Sequence, residues 1–212
     1  MVNHASGGED PRRGGLPSDP SDVRVLEQAL RQAISTSPEA FLKTMEDIEN
    51  RAPDYWQKEI DSATWVVIEN DEGDPVGVAA ARVPDLEMDS GINRPDTRFI
   101  DSVWVAPSFR GRGLGERLLR FLFETESSKS PDVRQFYLWV LERNILAITL
   151  YERMGFTFVE EQVLPDMSGR TEFRYEYLLD PDQPKIATNA AERHDDLKGG
   201  LTYRVLGRRE TA

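Results

Sequence analysis

Hydrophobic residues recur at helical spacing in the first part of the chain. Residues 22–34 predict a helix with Asp22 or Ser21 as its N-cap, since either side chain can accept a hydrogen bond from the first turn. The hydrophobic positions of this helix are Val23, Leu26, Leu30 and Ala33. Ser37-Pro38-Glu39 predicts the start of a second helix, because proline is favoured at the first helical position. The second helix would bury Phe41, Leu42, Met45 and Ile48, and another helical turn or two is predicted around residues 55–60.

At Thr64 the pattern changes to runs of β-branched residues. Residues 64–69 and 75–83 predict two strands of an antiparallel hairpin around the turn at 70–74. A polar loop at 84–97 follows, and beyond it strands alternate with helices. The later predicted elements are a strand at 99–105, a helix from Gly113 to about Ser127, a strand at 135–141, a helix from Asn144 to about Met154, and a strand pair at 156–159 and 171–179.

This order predicts an α+β domain in which helices flank a mixed sheet, and it excludes a doubly wound fold or a sandwich. Residues 1–21 are rich in Gly, Pro, Asp and Arg with almost nothing to bury, so they are predicted to be a disordered tail. The domain itself is predicted to span 22–180. Residues 181–212 form a polar extension, in which 201–206 has the alternation of an added strand.

The composition narrows the classes of partner. The chain carries 26 basic and 38 acidic residues, a net charge of −12, which opposes binding to the phosphates of nucleic acids. The same charge favours cationic small molecules or basic peptides, although it could also serve solubility alone. No segment approaches the roughly 18 apolar residues that span a bilayer, and the start of the chain has no apolar signal-peptide core. We expect a cytoplasmic protein that binds no membrane.

Metal and disulfide chemistry are not expected. The sequence has no cysteine, which excludes disulfides and thiolate ligands. His4 and His194 lie in the two terminal segments and have no clustered partner, so no metal site is predicted.

A glycine-rich loop, Arg110-Gly111-Arg112-Gly113-Leu114-Gly115, stands between a predicted strand and a predicted helix. Glycines allow the backbone to approach an anion closely, and the first amides of a helix have no intrahelical partner. A phosphate is therefore the natural guest, with Arg110 and Arg112 adding positive charge. The dinucleotide pattern G-x-G-x-x-G fails because Glu116 holds its last position, and the Gly-Lys-Ser/Thr of a P-loop is absent.

The spacing R-x-x-G-x-G of Arg110, Gly113 and Gly115 resembles the pyrophosphate loop of the GNAT superfamily of N-acetyltransferases. VWVAPSFRGRGLGERLL is similar to that family's fourth strand, loop and third helix. LWVLERNILAITLYERMGF is similar to its fifth strand and fourth helix. The resemblance covers roughly residues 36–180 and implies the GNAT fold, a central, mostly antiparallel sheet in which strands four and five splay apart.

The resemblance also implies roles for particular residues. Val103, Trp104 and Val105 would offer main-chain groups to the pantetheine arm of coenzyme A, although they could equally be ordinary strand residues. The remaining residues implied to bind this co-substrate are those of the loop, Arg110, Gly111, Arg112, Gly113, Leu114 and Gly115, together with Asn144, which is also placed to cap a helix.

Tyr151 matches the family's general acid, which protonates a departing thiolate, and its alternative role is that of a core tyrosine. A phenol with a pKa of about 10 can donate to a thiolate whose conjugate acid titrates near 8.5. Many relatives carry a glutamate as base on the fourth strand, at the position that aligns with Phe99. Asp101, two residues on and on the same face, could substitute through a water molecule, or it is a solvated residue at the strand end.

We therefore expect an enzyme that transfers an acetyl group from acetyl-CoA to a primary amine of a small molecule or peptide by direct attack. Two alternatives stay open: an acyl-CoA-binding module that has lost catalysis, and a transferase that uses a longer acyl-CoA or an aminoacyl-tRNA. The fold's usual first strand is hard to find. Either 23–25 supplies it, or the terminal segment 201–206 does, from the same chain or from the partner in a homodimer.

Overall fold

A computed structural model describes residues 19–52, 54–85, 92, 94–164, 169–180 and 200–207. Most of the predicted tail (1–18) and most of the predicted extension lie outside these ranges. The helices are α1 (Pro20–Thr36), α2 (Met45–Glu49), α3 (Tyr55–Ser62), α4 (Leu114–Lys129) and α5 (Ile145–Met154). The strands are β1 (Ala63–Glu69), β2 (Pro75–Arg82), β3 (Thr97–Val105), β4 (Gln135–Leu141), β5 (Thr157–Val163), β6 (Thr171–Leu178) and β7 (Thr202–Leu206).

Helix α1 begins two residues earlier than the sequence pattern indicates. Its N-cap is Asp19, whose carboxylate accepts a hydrogen bond from the backbone amide of Ser21 at 2.8 Å. The predicted caps, Asp22 and Ser21, are therefore wrong, because Pro20 already occupies a helical position. Asp22 is instead buried inside the first turn of the helix.

The predicted second helix from Ser37 is also wrong. Pro38–Ala40 forms only a single 3₁₀ turn, and the backbone becomes extended at Phe41. The helix starts again as α2 because Thr44 and Asp47 form a capping box, in which each side chain binds the backbone amide of the other. The interruption leaves Leu42, a predicted core residue, 47% exposed.

Seven strands form one mixed sheet in the order β5-β6-β4-β3-β2-β1-β7. Every neighbouring pair is antiparallel except β3 and β4. Those two strands run parallel and pair only through 97–99 and 135–137, so the sheet opens beyond Phe99 and Tyr137. β3 and β4 are the strands that the resemblance matched to the family's fourth and fifth, and their separation is the splay that the resemblance implied.

Helices cover both faces of the sheet. α4 and α5 pack with alternate residues of β1 to β4 and β6 in one hydrophobic cluster, and α1 and α3 pack with Val67, Val78 and Ala80 in the other. No helix among the described residues is long and apolar enough to cross a membrane.

The chain's last described segment supplies the edge strand that the sequence left unassigned. β7 pairs antiparallel with β1, from Trp65 opposite Leu206 to Glu69 opposite Thr202. Arg204 joins this strand to the start of α1, with ion pairs to Asp22 at 3.2 Å and to Glu69 at 3.3 Å. Residues 23–25 lie within α1, so the terminal segment of the same chain takes the place of the usual first strand.

Candidate active site

The opening between β3 and β4 begins next to a β-bulge. Val78 pairs with Trp104 and Ala80 with Asp101, so Ser102 and Val103 together face a single residue of β2. Ser102 has a φ of 56°, the sole positive φ of a non-glycine residue in the described ranges. Its amide donates to the carboxylate of Asp101 at 2.6 Å, which holds that side chain at the bulge. Such a backbone conformation costs about 1–3 kcal/mol and is typical of functional sites.

A cavity of about 430 Å³ occupies the opening. The predicted site residues on its lining are Val103, Trp104, Val105, Arg110, Gly111, Gly113, Leu114, Gly115, Asn144 and Tyr151. The sequence prediction did not include several others, namely Ser37, Glu39, Ala40, Glu116, Leu146, Ala147, Thr149, Leu150 and Arg153. Ser37, Glu39 and Ala40 were missed because the pattern placed them inside a continuous helix.

The N-terminus of α4 points into this cavity. Gly113 is its N-cap, with a φ of 78° in the left-handed region. Glycine carries no side chain to accept from the first amides of the helix, so these amides are available to an anion. At Gly115 a Cβ would lie 2.9 Å from Cδ2 of Leu150, so glycine lets α4 and α5 approach closely at this point.

The two arginines of the loop make different contacts. Nε of Arg110 donates to the carbonyl of Val105 at 2.9 Å, and its Nη2 donates to the hydroxyl of Ser37 at 2.6 Å. Arg110 therefore ties the loop to β3 and to the end of α1. The guanidinium of Arg112 lies 5.4 Å from the centre of the Phe109 ring, and Arg112 is not part of the cavity lining.

Tyr151 lies on α5 and is 6% exposed. Burial raises the pKa of its phenol well above the ordinary value, and the negative charge of Asp101 raises it further. Tyr151 packs on the face of the sheet that α4 covers, whereas Asp101 follows Ile100 along β3 and so belongs to the opposite face. Asp101, a predicted site residue, is not part of the cavity lining. A buried tyrosine with a raised pKa keeps its proton throughout the physiological range.

Lys43 joins this group from the segment between Ala40 and α2. Its pKa is raised although burial alone would lower it, because the carboxylates of Asp101 and Glu59 stabilise the ammonium and Tyr55 also interacts with it. Nothing in the pattern around Lys43 predicts this position, since the contact depends on how the chain folds back over β3.

Asn144 has the capping role that its position predicted. Its side-chain oxygen accepts a hydrogen bond from the amide of Ala147 at 3.3 Å, and Asn144 also lines the cavity. Gly155, with a φ of 97°, ends the same helix in the left-handed conformation.

A second cavity, of about 540 Å³, adjoins the first and shares Glu39, Asn144 and Leu146 with it. Nη2 of Arg170 donates to the backbone carbonyl of Glu39 at 3.2 Å, which links the start of β6 to the segment after α1. Within the described ranges no group of three or more His, Asp or Glu side chains could hold a metal ion.

The strand order, the opening between two parallel strands and the glycine-capped helix at its mouth together define the acetyltransferase fold. The chain belongs to the acetyltransferase (GNAT) family, whose model matches residues 27–156.

Individual proteins with similar sequences include N-acetyltransferases, in agreement with the family. A spermine/spermidine N(1)-acetyltransferase of Bacillus subtilis is 33% identical over 88 residues, which are 41% of this chain and 55% of that protein. The chain spans about half the length of such curated relatives.

Two solved structures share the fold at lower identity. A putative acetyltransferase from Salmonella typhimurium, solved with its cofactor acetyl-CoA, has a TM-score of 0.58 at 21% identity, covering 80% of this chain and 95% of that one. A ribosomal-protein-alanine N-acetyltransferase from Brucella melitensis has a TM-score of 0.57 at 22% identity, covering 75% and 95%.

Proposed function

We propose that the protein transfers an acetyl group from acetyl-CoA to a primary amine by direct attack of that amine. The observation that carries the proposal is the cavity between β3 and β4, which is lined by the N-terminus of α4 and by Tyr151. Asp101 is not part of this lining, but its negative charge raises the pKa of the Tyr151 phenol. Acetyl-CoA supplies an acetyl group activated as a thioester. The family supports this reading, since its members are acetyltransferases.

The lining fits the parts of coenzyme A. The amides after Gly113 and the positive end of the α4 dipole suit the pyrophosphate. Beyond Phe99 and Tyr137, β3 and β4 no longer pair with each other, and Val103 and Val105 line the cavity. Their main-chain groups are proposed to bind the amides of the pantetheine arm. Asn144 and Arg110 hold the two sides of the cavity in place through their own hydrogen bonds.

Tyr151 serves as the general acid in this proposal. As the new N–C bond forms and the C–S bond breaks, its hydroxyl gives a proton to the sulfur of the departing thiolate. The raised pKa of Tyr151 means that the proton is present at rest. Because burial also disfavours the phenolate, the proton returns to Tyr151 from solvent or from the released amine proton before the next turnover.

Asp101 accepts the proton of the attacking amine, directly or through one water molecule. Its carboxylate is fixed at the bulge by the amide of Ser102 and lies on the sheet face covered by α1 and α3. Phe99 occupies the position at which many family members carry an acid, and its ring packs 5.1 Å from that of Tyr137. Asp101 is thus the nearest carboxylate along this strand that can take over that role.

The acceptor is proposed to be a small molecule or a peptide with a primary amine that arrives as a cationic ammonium. The net charge of −12 attracts such a molecule, and the names of relatives include polyamine and protein-alanine acetyltransferases.

The test measures thiol release from acetyl-CoA with a panel of polyamines, amino acids and peptides. We expect turnover with at least one class of amine. Asp101→Asn keeps the hydrogen bond from Ser102 and removes the base, so it should lower kcat by about 100-fold or more while acetyl-CoA affinity changes less than about twofold. Asp132→Asn, in the exposed turn before β4, is the matched control and should behave like the unchanged protein.

Tight binding of acetyl-CoA with no turnover on any amine would instead support the alternative of a binding module. Equal activity of Asp101→Asn and the unchanged protein would exclude Asp101 as the base.

A further inference from the structure

Arg82, the last residue of β2, carries a guanidinium that the fold does not fully satisfy. Its Nε is buried and has no hydrogen-bond partner among the residues that the structure describes. The guanidinium carbon lies 4.6 Å from the centre of the Phe99 ring, in a cation–π contact. This contact stabilises the positive charge but gives Nε no hydrogen-bond acceptor.

Two other cations of the sheet region, Arg174 and Lys43, interact with carboxylates. Arg174 on β6 also has an unpartnered Nε, but its two terminal nitrogens pair with Glu160 at 3.1 Å and Glu176 at 3.3 Å. Lys43 interacts with Asp101 and Glu59. Arg82 differs from both, because among the residues that the structure describes its contact is with the Phe99 ring. A half-buried guanidinium in that state is poised to bind an anion from outside the chain.

Arg82 lies close to Asp101, the residue proposed to accept the proton of the attacking amine. Arg82 pairs with Phe99 across the two strands, and Ala80 pairs with Asp101. Since alternate residues of a strand share a face, Arg82 and Asp101 stand on the same side of the sheet, one strand apart and two residues apart along it. Strand spacings put their Cα atoms about 8 Å from each other. An amine delivered to Asp101 therefore has Arg82 within reach of a group a few bonds from its nitrogen.

We infer that Arg82 is a specificity-determining residue that binds an anionic group, a carboxylate or a phosphate, carried by the acceptor close to its amine. The inference rests on the proposed function and narrows the acceptor to zwitterionic amines such as amino acids. A polyamine would place a second cation next to Arg82 and would be repelled. Phe99 has a role in this arrangement: its ring supports the guanidinium at the place where other family members carry an acid.

The test compares matched acceptors that differ in one charge. Each amino acid of a panel is paired with its methyl ester, O-phosphoethanolamine is paired with ethanolamine, and spermidine represents the polyamines. The ratio of kcat/KM for acid over ester is measured in the unchanged protein, in Arg82→Gln and in Arg82→Lys. Comparing ratios between variants cancels the effect of esterification on the amine itself. Arg31→Gln, on the outer side of α1 and paired with Glu27, is the matched control for loss of one positive charge.

We expect the unchanged protein and Arg31→Gln to prefer the anionic partner of at least one pair by about tenfold or more, as a charge-assisted hydrogen bond supplies. Arg82→Gln should bring that ratio close to one, mainly through KM, and Arg82→Lys should recover part of it. Acetyl-CoA affinity should not change. If Arg82→Gln changes the kcat/KM ratio only for the carboxylate pairs, or only for the phosphate pair, the result identifies which anion Arg82 binds.

The inference would be overturned if the unchanged protein used acid and ester equally well. It would also be overturned if Arg82→Gln lost activity on acid and ester to the same extent. Spermidine outperforming every anionic amine would likewise overturn it. If no amine is acetylated, calorimetry of the same pairs with the CoA-loaded protein gives the answer. Selective binding of the acid that Arg82→Gln abolishes would uphold the role of Arg82 and refute acetyl transfer, while absence of selectivity would refute both.

Discussion

Replacing Gly113 by aspartate and, separately, by asparagine tests whether the N-terminus of α4 holds a pyrophosphate. The two side chains have nearly the same size and differ by one charge. A Cβ at Gly113 would meet no atom within 4 Å, so either side chain has room. The φ of 78° is unfavourable for both residues, although asparagine and aspartate tolerate this region better than most.

The expected cost to the fold is small. A non-glycine residue in the left-handed region costs about 1–2 kcal/mol, which corresponds to a fall in Tm of about 2–8 °C for a chain of this size. Part of this cost is offset, since both side chains can accept hydrogen bonds from the first amides of α4 and the aspartate charge also favours the helix dipole. Both variants should therefore fold, with aspartate the more stable of the two.

For acetyl-CoA binding we expect the two variants to rank in the opposite order from their stability. A unit charge about 5 Å from a doubly charged pyrophosphate, at an effective dielectric constant of about 40–80, opposes it by about 2–3 kcal/mol. Gly113→Asp should therefore bind acetyl-CoA about 30- to 150-fold more weakly than Gly113→Asn. Isothermal calorimetry at two salt concentrations measures this difference, which should shrink as salt increases. Equal affinities of the two variants in low salt would refute the placement of the pyrophosphate at this helix.

Two further predictions concern α5 and the edge strand. Tyr151→Phe should lower kcat by about 100-fold or more with little change in acetyl-CoA affinity. Because the pKa of Tyr151 is raised, the phenol keeps its proton as the pH increases. Steady-state rates of the unchanged protein should therefore show no loss from ionisation of Tyr151 up to about pH 10. Arg204→Met would leave the buried carboxylate of Asp22 without its ion pair, and since Arg204 is partly exposed we expect a loss of about 2–3 kcal/mol in the free energy of unfolding, measured in urea against Arg31→Met. An unchanged urea midpoint would show that Asp22 finds another partner.

The elements of this fold that depend on neighbouring residues were readable from the sequence. The helix after Gly113, the Asn144 cap and the β1–β2 hairpin follow from glycine, capping and alternation signals within a few positions. The segment after α1 was mispredicted because Pro38 is a local signal for the start of a helix. In the structure the helix starts instead at the capping box of Thr44 and Asp47.

Features that depend on distant parts of the chain could not be read in this way. The sequence left open whether residues 201–206 pair with β1, since pairing across such a separation has no local signal. The approach of Lys43 to Asp101 follows from the path of the segment after α1. Arg82 lies inside the predicted strand 75–83 and was given no role, because its unpartnered Nε and its contact with Phe99 are visible only in the fold.

The pairing of β7 with β1 has a consequence for how the protein is made. Asp22 binds the amide of Gly207, so the first helix is completed by a residue synthesised 185 positions later. At ribosomal speeds of about 5–20 residues per second, that interval is about 10–40 s. Throughout it, the outer edge of β1 is unpaired and the start of α1 lacks its ion pair. The far end of α1 holds Trp104 through Thr36 and Arg110 through Ser37. A nascent chain that has not yet reached β7 therefore lacks the contacts that join the start of α1 to the edge of the sheet, and we expect α1 to be held less firmly during that interval.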